Sequence, residues 1–423
     1  MKKQYYPEID ETLYETRLEN GLQLFIIPKA GFQKTYVTMT TKYGSLHTDF
    51  IPADRSNMVS TPAGVAHFLE HKLFEKEAGD MFNVFSEQGA SVNAFTSYDR
   101  TSYLFTAVDR VEDNIKSLIE MVQKPYFSEQ SVQKEIGIIA EEIKMYQEQP
   151  NYRLYYQTLQ AMYHHHPVRQ DIAGTISSIN EITAETLYTC YDTFYRPENM
   201  VMFVVGNVEP AAIADLVSEQ QLTTDQPAYL PVIADISEPQ EVKDKQVTTP
   251  TDVSRPKLML GIKSDCHLQN RPLIQTEFEM MFILELLLGE QSDFYHELLA
   301  DGLIDDSFGY SFILEPTFSH MLIAGATSEP DTLKKRIMER FETAEFDESA
   351  FRRLVKQTTG EYIASFNSVE YIANQFTRYY FNGAILFDIM QVLQQISLEE
   401  AVTTFRQAVD MSHMTDSRLV PRG

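Results

Sequence analysis

Two short segments of this chain recur at nearly one spacing, and that recurrence restricts the fold to a pair of similar halves. DIAGTISSI at 171–179 is echoed by DIMQVLQQI at 388–396, an offset of 217 (388 − 171). FSEQSV at 127–132 is echoed by FDESAF at 346–351, an offset of 219 (346 − 127). Either echo alone could arise by chance; two near one offset in 423 residues favour duplication. The length suits two domains of about 200 residues each. Leu13–Lys29 reads as a hairpin with Asn20–Gly21 as a two-residue turn. Tyr36–Tyr43 reads as a strand, and helix and strand patterns alternate up to residue 209. Residues 225–256 carry Pro227, Pro231, Pro239, Pro250 and Pro256 among polar and acidic residues, the composition of a linker.

The halves differ where chemistry is concerned. His67, Phe68, Leu69, Glu70 and His71 spell H-x-x-E-H, the inverse of the H-E-x-x-H order. Positions i, i+3 and i+4 of an α-helix share one face, so both imidazoles can reach one metal ion with the Glu70 carboxylate beside it. Thr61 followed by Pro62 reads as an N-cap with proline at the first helical position. Ala63, Val65, Ala66, Phe68, Leu69, Leu73 and Phe74 supply an apolar background, and Gly64 weakens the helix slightly. An offset of 219 carries His67 to Leu286 and Glu142 to Glu361, with no second H-x-x-E-H nearby. The second half therefore reads as a degenerate copy. A pattern this short also occurs on ordinary surface helices, so the reading depends on a third ligand.

Catalytic zinc sites take three protein ligands and keep a position for water. The segment Ser128–Tyr146 has helical periodicity, with Val132, Ile136, Ile139 and Ile143 as its apolar stripe. Glu135 and Glu142 are two turns apart at the border of that stripe, whereas Glu141 and Glu148 point away from it. A carboxylate at the edge of a core requires a partner or a metal. Glu142 is therefore the expected third ligand, and Glu135 the expected hydrogen-bond acceptor for a ligand imidazole.

HFLEH at 67–71 followed by EIGIIAEE at 135–142 resembles the inverzincin metallopeptidases, the family of pitrilysin, insulysin and the mitochondrial processing peptidase. GASVNAFTS at 89–97 resembles the family's edge strand. HP at 166–167 with Gly174, and YRPENM at 195–200, extend the resemblance over most of residues 12–220. It implies two homologous αβ domains forming half of a clamshell, and one Zn2+ per chain. It also implies that Ala90, Ser91, Val92, Asn93, Ala94, Phe95 and Thr96 bind an extended peptide by strand addition. In active members the second half carries an R-E-x-x-G-L-x-Y-like stretch whose Arg and Tyr bind substrate. Here Leu299 stands at the Arg position and Asp305 at the Tyr position. That departure resembles the zinc-bearing chains of two-subunit members, whose zinc-less partner supplies both groups.

Composition excludes several classes. A net charge of −26 argues against a nucleic-acid surface. No apolar run of 18 residues is present, so no membrane span is expected. MKKQYYPEIDE lacks the apolar region of a secretory signal, and Cys190 and Cys266 make no disulfide framework; both suit a reducing cytoplasm. His164, His165 and His166 read as a polar loop rather than a metal site, and Cys190 as a small core residue. The terminal LVPRG is either strand or a remnant of a cleaved tag.

The expected fold class is α+β. A zinc-bearing domain at 1–224 and a linker at 225–256 lead into a degenerate homologous domain at 257–423, each domain an antiparallel-rich sheet flanked by helices. The expected function is that of a zinc endopeptidase subunit acting on short or unfolded peptides, with Glu70 as general base. A heterodimer with a homologous zinc-less subunit is expected, and a homodimer is the other possibility. The alternative is a non-catalytic scaffold or peptide-binding subunit.

Overall fold

The computed structural model describes residues 1–221, 228–264, 268 and 270–422. Its two main sheets repeat one topology. The first has seven strands in the order Lys2–Tyr6, Glu11–Arg17, Gln23–Pro28, Met200–Gly206, Thr35–Thr41, Thr101–Ala107, Ser91–Thr96. The second has five, in the order Gln246–Thr251, Val409–Pro421, Lys257–Ser264, Phe318–Ala326, Gly309–Glu315. Its order matches that of the last five strands of the first sheet. In each sheet one pair is parallel, Gln23–Pro28 with Met200–Gly206 and Gln246–Thr251 with Val409–Pro421, and the others are antiparallel. The helices keep the spacing of the sequence echo. Val111–Gln123, Glu129–Gln147 and Pro150–Met162 recur as Pro330–Thr343, Glu348–Ser365 and Val369–Phe381, each starting 219 residues later (330 − 111, 348 − 129, 369 − 150).

The compact units are not contiguous in the chain, as boundaries at 224 and 257 would have them. One comprises Met1–Lys144, Asp171–Asp235 and Ala364–Phe381; the other comprises Met145–Gln170, Ile236–Ile363 and Asn382–Gly423. The helix Val369–Phe381 thus belongs with the first sheet. Phe376 meets Phe25 edge-on at 4.7 Å and Phe203 at 4.9 Å, and the Lys42 ammonium donates to the Phe381 carbonyl at the helix end. The equivalent helix Pro150–Met162 packs on the second sheet. A Cβ at Gly261 would lie 2.4 Å from Met162 Sδ and 2.8 Å from Thr158 Cγ2, so the glycine leaves room for these side chains between helix and strand.

Several local expectations require correction. The segment expected as a linker contributes the strands Val232–Ile233 and Gln246–Thr251, with Pro250 at the sheet edge, where a missing N–H is tolerated. The first hairpin pairs Arg17 with Gln23, so its turn spans Leu18–Leu22 rather than two residues; Asn20 Oδ1 accepts from the Leu22 N–H and Gly21 has φ +94°. Leu419 is buried and pairs with Lys257, so the LV of LVPRG lies in strand. No helix among the described residues is long and apolar enough to cross a membrane.

Candidate metal centre

The motif helix is short, Val65–Lys72. It starts later than the Thr61–Pro62 pair predicts. The Thr61 hydroxyl donates to the Thr48 carbonyl, and Gly64 is the N-cap at φ +94°, a conformation that costs glycine little. The glycine also meets a spatial demand. A Cβ at Gly64 would lie 2.5 Å from the Ala173 carbonyl oxygen, and one at Gly174, φ +78°, would lie 2.4 Å from that of Ala63. The Ser178 hydroxyl donates to the same Ala63 carbonyl at 2.7 Å. The segment 173–178, a turn leading into the helix Ile176–Ile179, is thereby locked against the start of the motif helix, which gives Gly174 a physical role. Val65, Ala66, Phe68 and Leu69 are buried in the core below. Lys72 is fully buried and pairs with Glu75 at 2.5 Å.

The second contributing helix is Glu129–Gln147, and its stripe Val132, Ile136, Ile139 and Ile143 is buried as its periodicity predicts. That burial turns Glu135 and Glu142 toward the motif helix. His67 Nε2 lies 3.7 Å and His71 Nε2 3.5 Å from Glu142 Oε2. One ligand atom from each of the three residues lies within 4.8 Å of the others, the only such group among the described residues. Glu135 Oε1 meets His71 Nδ1 at 3.0 Å, which leaves Nε2 of that ring facing the cluster. Glu141 is exposed and paired with Lys144, and Glu148 is exposed beyond the helix end.

The electrostatics suit a cation. Burial, and then the neighbouring His71, push His67 down to about 3, so its imidazole is neutral. Burial pulls His71 down too, but the Glu135 hydrogen bond and the charges of Glu70, Glu135 and Glu142 outweigh it and raise the group. Burial raises Glu70 despite the opposing Thr96 hydrogen bond and His71 charge. Burial raises Glu142 as well, opposed by His71 and reinforced by Asp171 and Glu135. Glu142 Oε2 and His67 Nδ1 are buried without a hydrogen-bond partner. Two imidazole nitrogens and a carboxylate oxygen converging with such an orphaned acceptor fit a divalent cation such as Zn2+.

Ser91–Thr96 is the edge strand of the first sheet, its inner side paired with Thr101–Ala107 and packed by the motif helix; Ala90 precedes it. The Thr96 hydroxyl donates to Glu70 Oε2 at 2.6 Å, a contact that no sequence pattern indicates. Leu299 is exposed, and Asp305 pairs with Arg255 at 3.1 Å. At His164–His166 the backbone N–H groups all donate to the Glu238 carboxylate, as suits a polar loop. Cys190 is buried and its thiol is pushed up to about 12 by burial, which makes it inert. Cys266 lies outside the described residues.

Comparison with known proteins places the chain in one family. Residues 59–176 match the family described as Insulinase (Peptidase family M16), and residues 181–358 match the Peptidase M16 inactive domain. The zinc protease YmfH of Bacillus subtilis is 44% identical over 99% of this chain and 98% of its own length. The chain belongs to the insulinase family, peptidase family M16. A crystal structure of an M16-like peptidase from Alicyclobacillus acidocaldarius superposes with a TM-score of 0.90 at 33% identity, covering 97% of this chain and 99% of that one. A protease from Helicobacter pylori shares the M16 fold at a TM-score of 0.83 and 20% identity, covering 97% of this chain and 99% of that one. The second M16 match begins within the first half of the duplicated sequence, at residue 181, and runs to 358 in the second.

Proposed function

We propose that this M16 chain is the zinc-bearing subunit of an endopeptidase that cleaves short or unfolded peptides inside a clamshell chamber. The observation that carries the reading is the convergence of His67 Nε2, His71 Nε2 and Glu142 Oε2 beside the half-buried Glu70 carboxylate. His67, His71 and Glu142 would hold the zinc. When bound, the metal supplies Lewis acidity toward the scissile carbonyl and lowers the pKa of water toward neutrality. Glu70 takes the proton from the attacking water on its carboxylate and returns it to the leaving amine nitrogen. Glu135 holds the His71 ring through Nδ1, which fixes both the tautomer and the direction of Nε2. The edge strand Ser91–Thr96 offers backbone groups to an extended peptide, so binding is tolerant of side-chain identity.

A transition state of this kind places negative charge on the former carbonyl oxygen, and donors to it are worth about 3–4 kcal/mol each. Leu299 and Asp305 cannot donate there. A homologous subunit without H-x-x-E-H, carrying Arg and Tyr at those places, would supply the donors. The test is zinc content together with cleavage of fluorogenic peptides, by the chain alone and mixed with such a subunit. Weak or absent cleavage alone and full cleavage in the mixture is the expected result. Full activity of the isolated chain would remove the partner requirement, and zinc-loaded protein inactive in every mixture would favour a scaffold subunit.

A further inference from the structure

We propose that Thr96 is a positioning residue, whose hydroxyl holds the Glu70 carboxylate in the rotamer that faces the ligand cluster. The inference rests on Glu70 being the general base. Thr96 is the last residue of the edge strand, and Glu70 lies on the helix packed against that strand. The 2.6 Å contact from Thr96 Oγ1 to Glu70 Oε2 is a charge-assisted hydrogen bond. A threonine hydroxyl has one proton to give. Thr101 Oγ1 spends its own on the Tyr43 carbonyl at 2.8 Å and lies 3.4 Å from Thr96 Oγ1. Of the two acceptors within reach, Glu70 Oε2 at 2.6 Å is far nearer than Thr101 Oγ1 at 3.4 Å, so the Thr96 proton goes to Glu70.

The donor is itself held in place. Thr96 pairs with Thr101 in the hairpin, and the turn beyond it is tied down where Ser45 N–H donates to the Ser97 carbonyl and Leu46 N–H to that of Tyr98. A Cβ at Gly44 would lie 2.4 Å from the Ser97 oxygen, so glycine is needed for that approach. A β-branched side chain on a fixed strand has restricted χ1. The hydroxyl thus confines one carboxylate oxygen and leaves the remaining lone pairs for the proton Glu70 accepts. This assigns Thr96 a part different from that of the rest of Ala90–Thr96. Its backbone can still pair with a peptide, but its side chain is committed inward.

The experiment uses the full chain, with its partner subunit where activity requires one. Thr96→Val removes the donor at constant shape, and Thr96→Ser keeps it. For Thr96→Val the expected result is a fall in kcat of about 10–100-fold with KM within about twofold and zinc content at the wild-type level. Thr96→Ser should stay within about threefold of wild type on the same scale. A crystal structure of zinc-loaded Thr96→Val should show Glu70 in a second or mixed rotamer, and Thr96→Ala repeats the comparison if the valine variant folds poorly. Unchanged kcat, a loss confined to KM, or an unmoved Glu70 would overturn the proposal. Should the wild type cleave no peptide in any mixture, the general-base reading fails, and the Glu70 rotamer still decides whether Thr96 positions it.

Discussion

At the residue scale the site separates the proposed ligands from the proposed base. His67, His71 and Glu142 present their atoms to one another, whereas Glu70 is turned to Thr96. Glu70→Gln is isosteric but cannot accept a proton, so it should keep zinc and lose most turnover. His67→Ala and Glu142→Ala should instead lose the metal; elemental analysis beside a peptide assay separates the two classes. Glu135 would act on a bound metal only through His71, whose Nδ1 it meets at 3.0 Å. Removing such an outer partner costs about 10–100-fold in affinity. Glu135→Ala should therefore weaken zinc binding by that factor in a chelator competition, with the fold intact, and wild-type affinity would show that the contact is incidental.

At the scale of elements, tight approaches fix the angles between pieces. The contact of Gly64 with Ala173, and of Gly174 with Ala63, sets where the motif helix begins. A non-glycine residue at positive φ costs about 1–3 kcal/mol before any clash. Gly174→Ala should lower the thermal midpoint and also weaken metal binding, because the strain acts on the helix that carries both histidines. Glu238 shows the same economy in the other unit. Burial pulls its carboxyl up, but the Lys263 ammonium at 2.5 Å and the N–H groups of His164, His165 and His166 outweigh that and hold it at about 2, against an ordinary 4.5. Its folded pKa is below its unfolded one, so it stabilises fully above the unfolded value and loses that contribution as pH falls through about 2. Chemical denaturation between pH 5 and 2 should show a decline that is shallower in Glu238→Gln.

At the scale of the whole molecule, the two halves exchange a helix. The first sheet is covered by Val369–Phe381 and the second by Pro150–Met162, each supplied from the opposite half of the sequence. A fragment of residues 1–224 therefore lacks the partner of Phe25 and Phe203 and exposes that apolar face. Expressed alone it should aggregate or unfold without cooperativity, and co-expression with 225–423 should restore a folded complex, as measured by gel filtration and calorimetry. A soluble, cooperatively folding 1–224 would refute this dependence.

Short-range pattern carries much of this protein in plain view. The echo at 127–132 and 346–351 reports the duplicated helices, because a helix's burial stripe and start signals are local. The i, i+3, i+4 spacing of His67, Glu70 and His71, and the stripe beside Glu135 and Glu142, likewise put functional groups on predictable faces. What lies beyond local pattern is which element covers which surface. The helix exchange, the strand formed by Gln246–Thr251, the late start of the motif helix at Val65 and the Thr96 hydroxyl on Glu70 all depend on contacts between residues distant in sequence. A long-range partner is chosen by the free energy of the assembled core, to which each residue contributes a shape and a polarity but no address. The spacing that brings His67, His71 and Glu142 together was thus legible in the sequence, and the Thr96 contact with Glu70 was decided only by tertiary packing.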